Sequence, residues 1–421
     1  MTAQPHLVIL GGGFAGLTLA SSLRKANLRI TLIDRRNHHL FQPLLYQVAT
    51  AGLAPGDIAE PIRRILKGQT NVQVRLAEAT GIDPDAKVVH LDTGESTYDS
   101  LVVATGARHH YFGNDEWEQH APGLKTIGDA LSIRRRLLTA FERAEWTSDP
   151  QERADLLTFV VVGAGPTGVE LAGAIKEVAL KTMRKEFRTI LPERDARVIL
   201  VEAGPKVLGH FPDPLPQKAL KQLEHLGVEV RTNEAVTQLD NTSVTIGEER
   251  IDSCSVFWAA GVRASPLGAD LGVERDRAGR VPVEADLSVA GHPNIYVLGD
   301  LATREQDGKP LPGVAPVAIQ QAQHLAKDLK KGRRTPFRYR SYGSMATIGR
   351  SKAIVDIGPV QLSGFFAWFV WVFVHLMTLV GFRNRLVVFV KWAWSWWTFD
   401  RSSRLVWQGE TEGKPTAPPP T

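Results

Sequence analysis

The stretch LVILGGGFAG, Leu7 to Gly16, decides the fold. Four apolar residues suit a strand buried on both faces, and glycines follow at Gly11, Gly13 and Gly16 in G-x-G-x-x-G spacing. LTLASSLRKA then continues with helical periodicity. In such a unit Gly11 makes the tight turn, Gly13 lets the backbone approach a pyrophosphate, and Gly16 lets the helix pack close to the strand. Phe14 and Ala15 lie within the same turn, and the helix N-terminus offers unpaired N–H groups to the phosphates. The next strand, LRITLID, ends at Asp34, with Arg35 beside it, and an acid here is expected to accept from a ribose hydroxyl. The glycines alone are a weak signal. Strand, turn, helix, strand and terminal acid in order are a strong one.

The pattern then repeats. LTFVVVGAGPTGVELAGAI gives an apolar strand and glycines at Gly163, Gly165 and Gly168, and ARVILVEAGPKVL gives a strand ending at Glu202. Two such units imply two dinucleotides meeting across an interface. A carboxylate at 202 accepts ribose hydroxyls and repels a 2′-phosphate, which favours NADH over NADPH. YDSLVVATGAR places Thr105 and Gly106 after an apolar run, and SCSVFWAAGVRASP places Ala260 and Gly261 similarly in the second unit. HPNIYVLGDLA ends a late strand with Gly299 and Asp300, a short acid suited to the sugar-like chain of a flavin.

With 421 residues, 43% hydrophobic and 23% charged, the chain can build two or three domains with real cores. A net charge of +5 is too small and diffuse to argue for nucleic acid. The single cysteine, Cys254, excludes an internal disulfide and reads as a small apolar residue. His38–His39 and His109–His110 have no cysteine or carboxylate cluster to complete a metal set, so no metal is expected. The beginning, MTAQPHLVILGGG, has no basic n-region or cleavage site, so the catalytic side is expected in the cytoplasm.

Taken together, these motifs resemble the flavoprotein oxidoreductases with two dinucleotide-binding domains, and most closely the type II, non-proton-pumping NADH:quinone oxidoreductases. HHLFQPLLYQVATAGLAPGDIAEPIR and GVAPVAIQQA carry the resemblance beyond the fingerprints. It implies FAD on the first fingerprint, with Asp34 on the adenosine ribose and Asp300 on the ribityl chain. NADH would bind the second as substrate, with Glu202 on its ribose, and Ala318 and Gln320 would lie beside the isoalloxazine ring. A hydride would pass from NADH to the flavin, and two electrons would pass on to a membrane quinone. Disulfide and sulfide chemistry both need more cysteines than one. Gln320 is the expected donor to a quinone carbonyl, and only one of Gln320 and Gln321 should face the ring if the segment is helical. Pro316 departs from the family's A-Q-x-A-x-Q pattern and removes one proposed donor. Glu170 has two readings, complementing the dipole in the helix's first turn or binding and protonating the acceptor.

The C-terminal stretch from Gly364 to Trp397 holds six of the ten tryptophans. A helix over 365–382 would cover about 27 Å, just short of a hydrocarbon core of about 30 Å. The favoured reading is therefore two interfacial helices lying on the bilayer surface through residues 364–399. A single span and a buried interface within a homodimer are the alternatives. KDLKKGRRTPFRYR, residues 327–340, reads equally as a lipid-attracting stretch or a solvated helix end. No bundle of spans with internal ionisable groups is present, so no proton pumping is expected.

The expected architecture is α/β, with two Rossmann-like domains, the second inserted in the first, and a membrane-associated helical segment at the end. An FAD-binding domain covers residues 1–115 and 275–333, an NADH-binding domain 116–274, an anchoring region 334–410 and a disordered Pro-rich tail 411–421. Two rival functions stay open on sequence alone. One is a soluble NADH-dependent reductase with another acceptor, and the other is a slow-turnover NADH-binding redox sensor.

Overall fold

The structure is a computed structural model that describes residues 4–398, 401 and 403–406. The Pro-rich tail lies outside these described residues. The chain opens with β1 (His6–Leu10), which is buried throughout, and α1 (Phe14–Ser22). β2 (Arg29–Asp34), β3 (Val72–Leu76) and β4 (Ser100–Val103) follow, then the long α2 (Ile127–Trp146). A second unit starts with β5 (Thr158–Val162) and α3 (Pro166–Glu177), and continues with β6 (Arg197–Glu202), β7 (Val228–Thr232) and β8 (Ser255–Trp258). β9 (Ser288–Val289), β10 (His292–Val297) and α4 (Ala315–Lys331) then return to the first unit. The last part contains β11 (Ser344–Gly349), β12 (Lys352–Ile357), β13 (Val360–Gly364), α5 (Phe365–Thr378) and α6 (Phe382–Thr398).

The first sheet has the order β9-β10-β4-β1-β2-β3 and is parallel from β10 to β3. The second has the order β7-β6-β5-β8 and is wholly parallel. Both central strands read as unbroken apolar runs because helices cover both faces of such sheets. Register fixes the glycine turns: Val8 sits opposite Thr31 and Leu101, as Val160 sits opposite Ile199 and Val256. The expected α/β fold is therefore present. An antiparallel ribbon, Ala107–His109 against Val262–Ala264, links the two units.

The region after residue 334 differs from its expected reading as anchor alone. β11, β12 and β13 form an antiparallel meander that packs on α3. Gly173 makes that contact possible, because a Cβ there would lie 1.9 Å from the Ile348 carbonyl oxygen. Its sequence carries no motif, so periodicity alone left it unseen. Three of the seven basic residues in 327–340 find partners within the protein: Arg333 pairs with Asp328, Arg334 with Asp286 and Arg338 with Asp307. That pairing favours the reading as a helix end and loop over a lipid-attracting patch.

The apolar 365–382 stretch is not one helix. Leu379 turns to extended backbone and Gly381 takes φ +87°, so the chain reverses between α5 and α6. At 1.5 Å per residue, α5 reaches only about 21 Å. Among the described residues no helix is long and apolar enough to cross a membrane. α6 is tied to the Gln47–Glu60 segment by Lys391–Asp57 at 2.6 Å, by buried Asn384 on Glu60 at 3.2 Å, and by Trp392 on Gln47 at 2.7 Å.

Candidate functional site

The two fingerprints repeat one construction. Gly11 N donates to Ile33 O and Gly163 N to Val201 O, closing the turn onto the neighbouring strand. Both glycines have positive φ, and a Cβ would meet backbone, Ala104 O at 2.4 Å or Ala260 N at 2.7 Å. Gly16 and Gly168 are tighter still, with Gly11 O and Gly163 O at 1.8 Å from their Cβ positions. The acids match as well. Asp34 accepts from Gly12 N at 2.6 Å and Arg36 N at 2.7 Å, while Glu202 accepts from Ala164 N at 2.7 Å and Gly204 N at 2.8 Å. Each carboxylate is thus held at the phosphate turn with lone pairs to spare for a ribose.

The middle glycines test whether a dinucleotide fits. Gly13 and Gly165 cap α1 and α3, neither helix has a side-chain cap, and a Cβ on either would meet nothing within 4 Å. Open space in front of uncapped helix N–H groups is what a pyrophosphate requires. The Thr105 hydroxyl is buried without a partner beside the first unit's crevice, with Gly106 at φ +68° next to it. Ala260 and Gly261, at φ +73°, hold the equivalent turn. The residues present therefore fit FAD on the first unit and NADH on the second.

Around the crevice, Gly299 N donates to Gln321 Oε1 at 2.7 Å, and Ala318 and Ala15 approach Gly299 closely. Asp300 faces Gly313 and acts on the Lys125 ammonium, whose ordinary value is lowered by burial and raised by Asp300 and Asp129. Lys125 has no motif spacing and was missed, and of the pair Gln320 and Gln321 it is Gln321 that is buried. Phe14 packs edge-on to His39, which is buried and hydrogen-bonded to Gly12 O at 3.1 Å. Arg35 instead reaches outward to Glu78 at 3.2 Å.

Gln320 is clasped by backbone. Its Nε2 donates to Arg340 O at 2.9 Å and its Oε1 accepts from Arg340 N at 3.0 Å, so both ends of the amide are engaged with the backbone. Pro316 lies in the first turn of α4, where no N–H is needed, so the departure costs the helix nothing.

Glu170 sits beyond the first turn of α3, and the dipole reading loses its basis. It is buried against the docked meander, and burial pushes its carboxyl up to about 8. The Thr347 N–H, at 3.3 Å, and the Trp371 indole N–H, which makes no hydrogen bond of good geometry, oppose that rise only in part. Glu170 lines a cavity of about 120 Å³ between α3, the short helix Leu45–Ala49 and the aromatic helices, walled by Tyr46, Thr347, Trp368, Trp371 and Trp392. Arg401 closes one side through Thr50 O and Oγ1, both at 2.9 Å, and Glu177 at 3.4 Å. His375, stacked on Trp371 at 4.2 Å and half-buried, is pushed down to about 4 by desolvation and so is neutral.

The family model for pyridine nucleotide-disulphide oxidoreductases matches residues 5–322, and that for the NDH2 C-terminal domain matches residues 342–400. The chain is 47% identical over 415 residues to a type II NADH:quinone oxidoreductase of Mycobacterium tuberculosis, covering 93% of this chain and 89% of that one. The chain belongs to the type II NADH:quinone oxidoreductases. A second such protein of the same organism is 49% identical, over 92% of this chain and 86% of its own. A solved structure of NDH2 from Plasmodium falciparum in complex with NADH shares the fold, with a TM-score of 0.86 over 96% of this chain and 100% of that one, at 21% identity. The sulfide:quinone oxidoreductase from Aquifex aeolicus shares it less closely, at 0.71 and 22% identity over 90% of this chain and 92% of that one. The broader family is named for disulphides, but this type II oxidoreductase has one cysteine. Cys254 is half-buried, and burial pushes its thiol up, away from a reactive thiolate.

Proposed function

We propose that the chain passes a hydride from NADH to FAD and then two electrons to a membrane quinone, without pumping protons. The observation that carries this reading is the cavity that joins Glu170, just past the second fingerprint, to the aromatic helices. Bound FAD supplies the two-electron chemistry that takes a hydride and releases electrons to a second substrate. The protein's part is to hold both nucleotides, with Gly13 and Asp34 on one, Gly165 and Glu202 on the other, and Asp300 and Ala318 toward the flavin ring and its side chain. Glu202 disfavours a 2′-phosphate. Glu170, neutral at pH 7, holds a proton at the cavity wall and is the proposed donor to the reduced quinone. Anaerobic spectra test the function. NADH is expected to bleach the yellow protein and a short-chain quinone to restore the colour; bleaching reversed only by soluble proteins or ferricyanide would select the rival reductase.

We also propose docking on the cytoplasmic face of the cell membrane; the exposed aromatic stripes support its attachment to a lipid surface. Phe366, Phe369, Phe373 and Met377 share one side of α5 and are 75%, 61%, 58% and 49% exposed. Leu386, Val390, Trp394 and Trp397 continue the surface on α6. No acidic residue occurs between Asp356 and Asp400, which suits an anionic lipid surface. Phe366→Ser, Phe369→Ser and Phe373→Ser together are expected to lower liposome partitioning about 100-fold, taking roughly 1 kcal/mol for each half-inserted ring. Melting temperature should hold, since these rings contribute little to the core. Unchanged liposome binding with loss of a dimer in sedimentation would assign the stripe to contact between two copies instead.

A further inference from the structure

Three side chains on two helices form a hydrogen-bond chain that ends at the cavity. The Trp392 indole Nε1–H donates to Gln47 Oε1 at 2.7 Å. An indole nitrogen can only donate, so this contact fixes which end of the Gln47 amide is oxygen. Gln47 Nε2 must then donate to the Tyr46 hydroxyl, at 3.0 Å. The hydroxyl is thereby used as an acceptor, and no described residue accepts its proton. Tyr46 is 7% exposed and forms part of the cavity wall with Glu170, Trp371 and Trp392. A buried donor without an acceptor is unfavourable, and native proteins keep few of them without a reason.

One other uncharged donor at this wall, the Trp371 indole N–H, makes no hydrogen bond of good geometry and is bound to a ring held by stacking. The Thr347 N–H is directed at Glu170, and the Gln320 amide is clasped by Arg340. Neither Glu170 nor Glu177 makes a hydrogen bond to Tyr46. The hydroxyl is therefore a neutral, oriented donor set between indoles, since the Trp371 and Trp392 rings lie 5.6 Å apart and the Tyr46 ring is 6.5 Å from Trp371. A quinone head is a flat ring with carbonyl acceptors and no donors, which suits aromatic walls carrying one fixed O–H.

We propose that Tyr46 donates a hydrogen bond to a carbonyl oxygen of the quinone, with Gln47 and Trp392 as positioning residues that hold the hydroxyl in that sense. This rests on the quinone-reducing function proposed above and places a donor at the Glu170 cavity, whose lining does not include Gln320. The bond strengthens as negative charge gathers on the oxygen during reduction, so it favours the reduced transition state over the bound ground state.

Tyr46→Phe removes only the hydroxyl and keeps the ring in place. It is expected to lower kcat/KM for a short-chain quinone about 10- to 100-fold, the loss of one donor to a developing charge. The NADH–ferricyanide rate, which needs no carbonyl acceptor, is the reference. Quenching of the cavity tryptophans by oxidised quinone, without NADH, reads affinity directly and should weaken several-fold. Gln47→Leu, which frees the hydroxyl to turn, should reproduce part of both losses and serves if Tyr46→Phe folds poorly. Unaltered quinone affinity and kcat/KM in both variants would overturn the proposal, as would an equal fall in the ferricyanide rate. A wild-type protein that reduces ferricyanide but no quinone would instead overturn the function on which it rests.

Discussion

Gly165→Val is expected to give a folded, yellow protein that NADH no longer bleaches. The position has φ −69° and ψ −178°, ordinary extended backbone for any residue, and its Cβ would meet nothing of the protein within 4 Å. Valine is a poorer N-cap than glycine, so stability should fall by no more than about 1 kcal/mol. The space it fills belongs to the NADH pyrophosphate, which must come close to the uncapped N–H groups of α3. Keeping the phosphate out should weaken NADH by at least about 100-fold, or roughly 3 kcal/mol. Gly13→Val is the matched experiment in the first unit, where φ is −72° and the Cβ space is equally open. There the protein should fold and purify colourless. Gly168→Ala is the contrast, since its Cβ would press on Gly163 O at 1.8 Å and the backbone itself must move. That variant should lose about 2–4 kcal/mol of stability before ligand binding is considered. Absorbance, melting temperature and NADH titration separate the three. A Gly165→Val protein that NADH still bleaches at ordinary concentrations would remove the nucleotide from the second fingerprint.

These glycines show why so much of the fold was legible. The close approaches at Gly11, Gly16, Gly163 and Gly168 are between backbone atoms less than eight residues apart or on adjacent strands, so local spacing records them. Asp34 and Glu202 were legible for the same reason, because a strand end returns each acid to its own turn. The cavity was not. Its walls come from three separate parts of the sequence, Leu45–Ala49, α3, and the run from β11 through α5 and α6 to Arg401. Gly173 carries the decisive contact of that assembly, yet in sequence it is one small residue in an apolar helix. Gln320 is the converse case. Its position matches a pattern, but the Arg340 backbone, twenty residues on, takes both ends of its amide. Tyr46 lies within a stretch that the resemblance already covered, and only the direction of a hydrogen bond from Trp392 singles it out.

Glu170→Gln should abolish the alkaline limb of quinone-dependent turnover. In the native protein, burial raises the carboxyl to about 8, so at pH 7 the neutral form dominates by roughly ten to one. If Glu170 delivers a proton to the reduced quinone, turnover falls as pH rises through about 8, where the donor is lost. The amide keeps the shape, has no proton to give, and should lower turnover by about 10²-fold at neutral pH while leaving the remainder independent of pH in this range. Neighbouring groups do not supply the limb. His375 is held down at about 4, and Tyr46 is pushed well above its ordinary value by burial and by Glu170 itself. Glu177, Lys181, Arg350 and Arg401 also line the cavity and remain unchanged in the variant. Stability gives a second, independent readout. Because the folded carboxyl titrates higher than its ordinary value of 4.5, the folded state binds more protons between pH 4.5 and about 8. Native stability from this group is therefore full below 4.5 and declines as pH rises to about 8, with a slope approaching 1.4 kcal/mol per pH unit. Glu170→Gln removes that slope and should be the more stable protein by a few kcal/mol above pH 8. Denaturant unfolding at pH 6 and pH 9 measures the crossing. If the variant keeps both the alkaline limb and the native decline in stability, the carboxyl is ionised throughout and the proton must come from elsewhere.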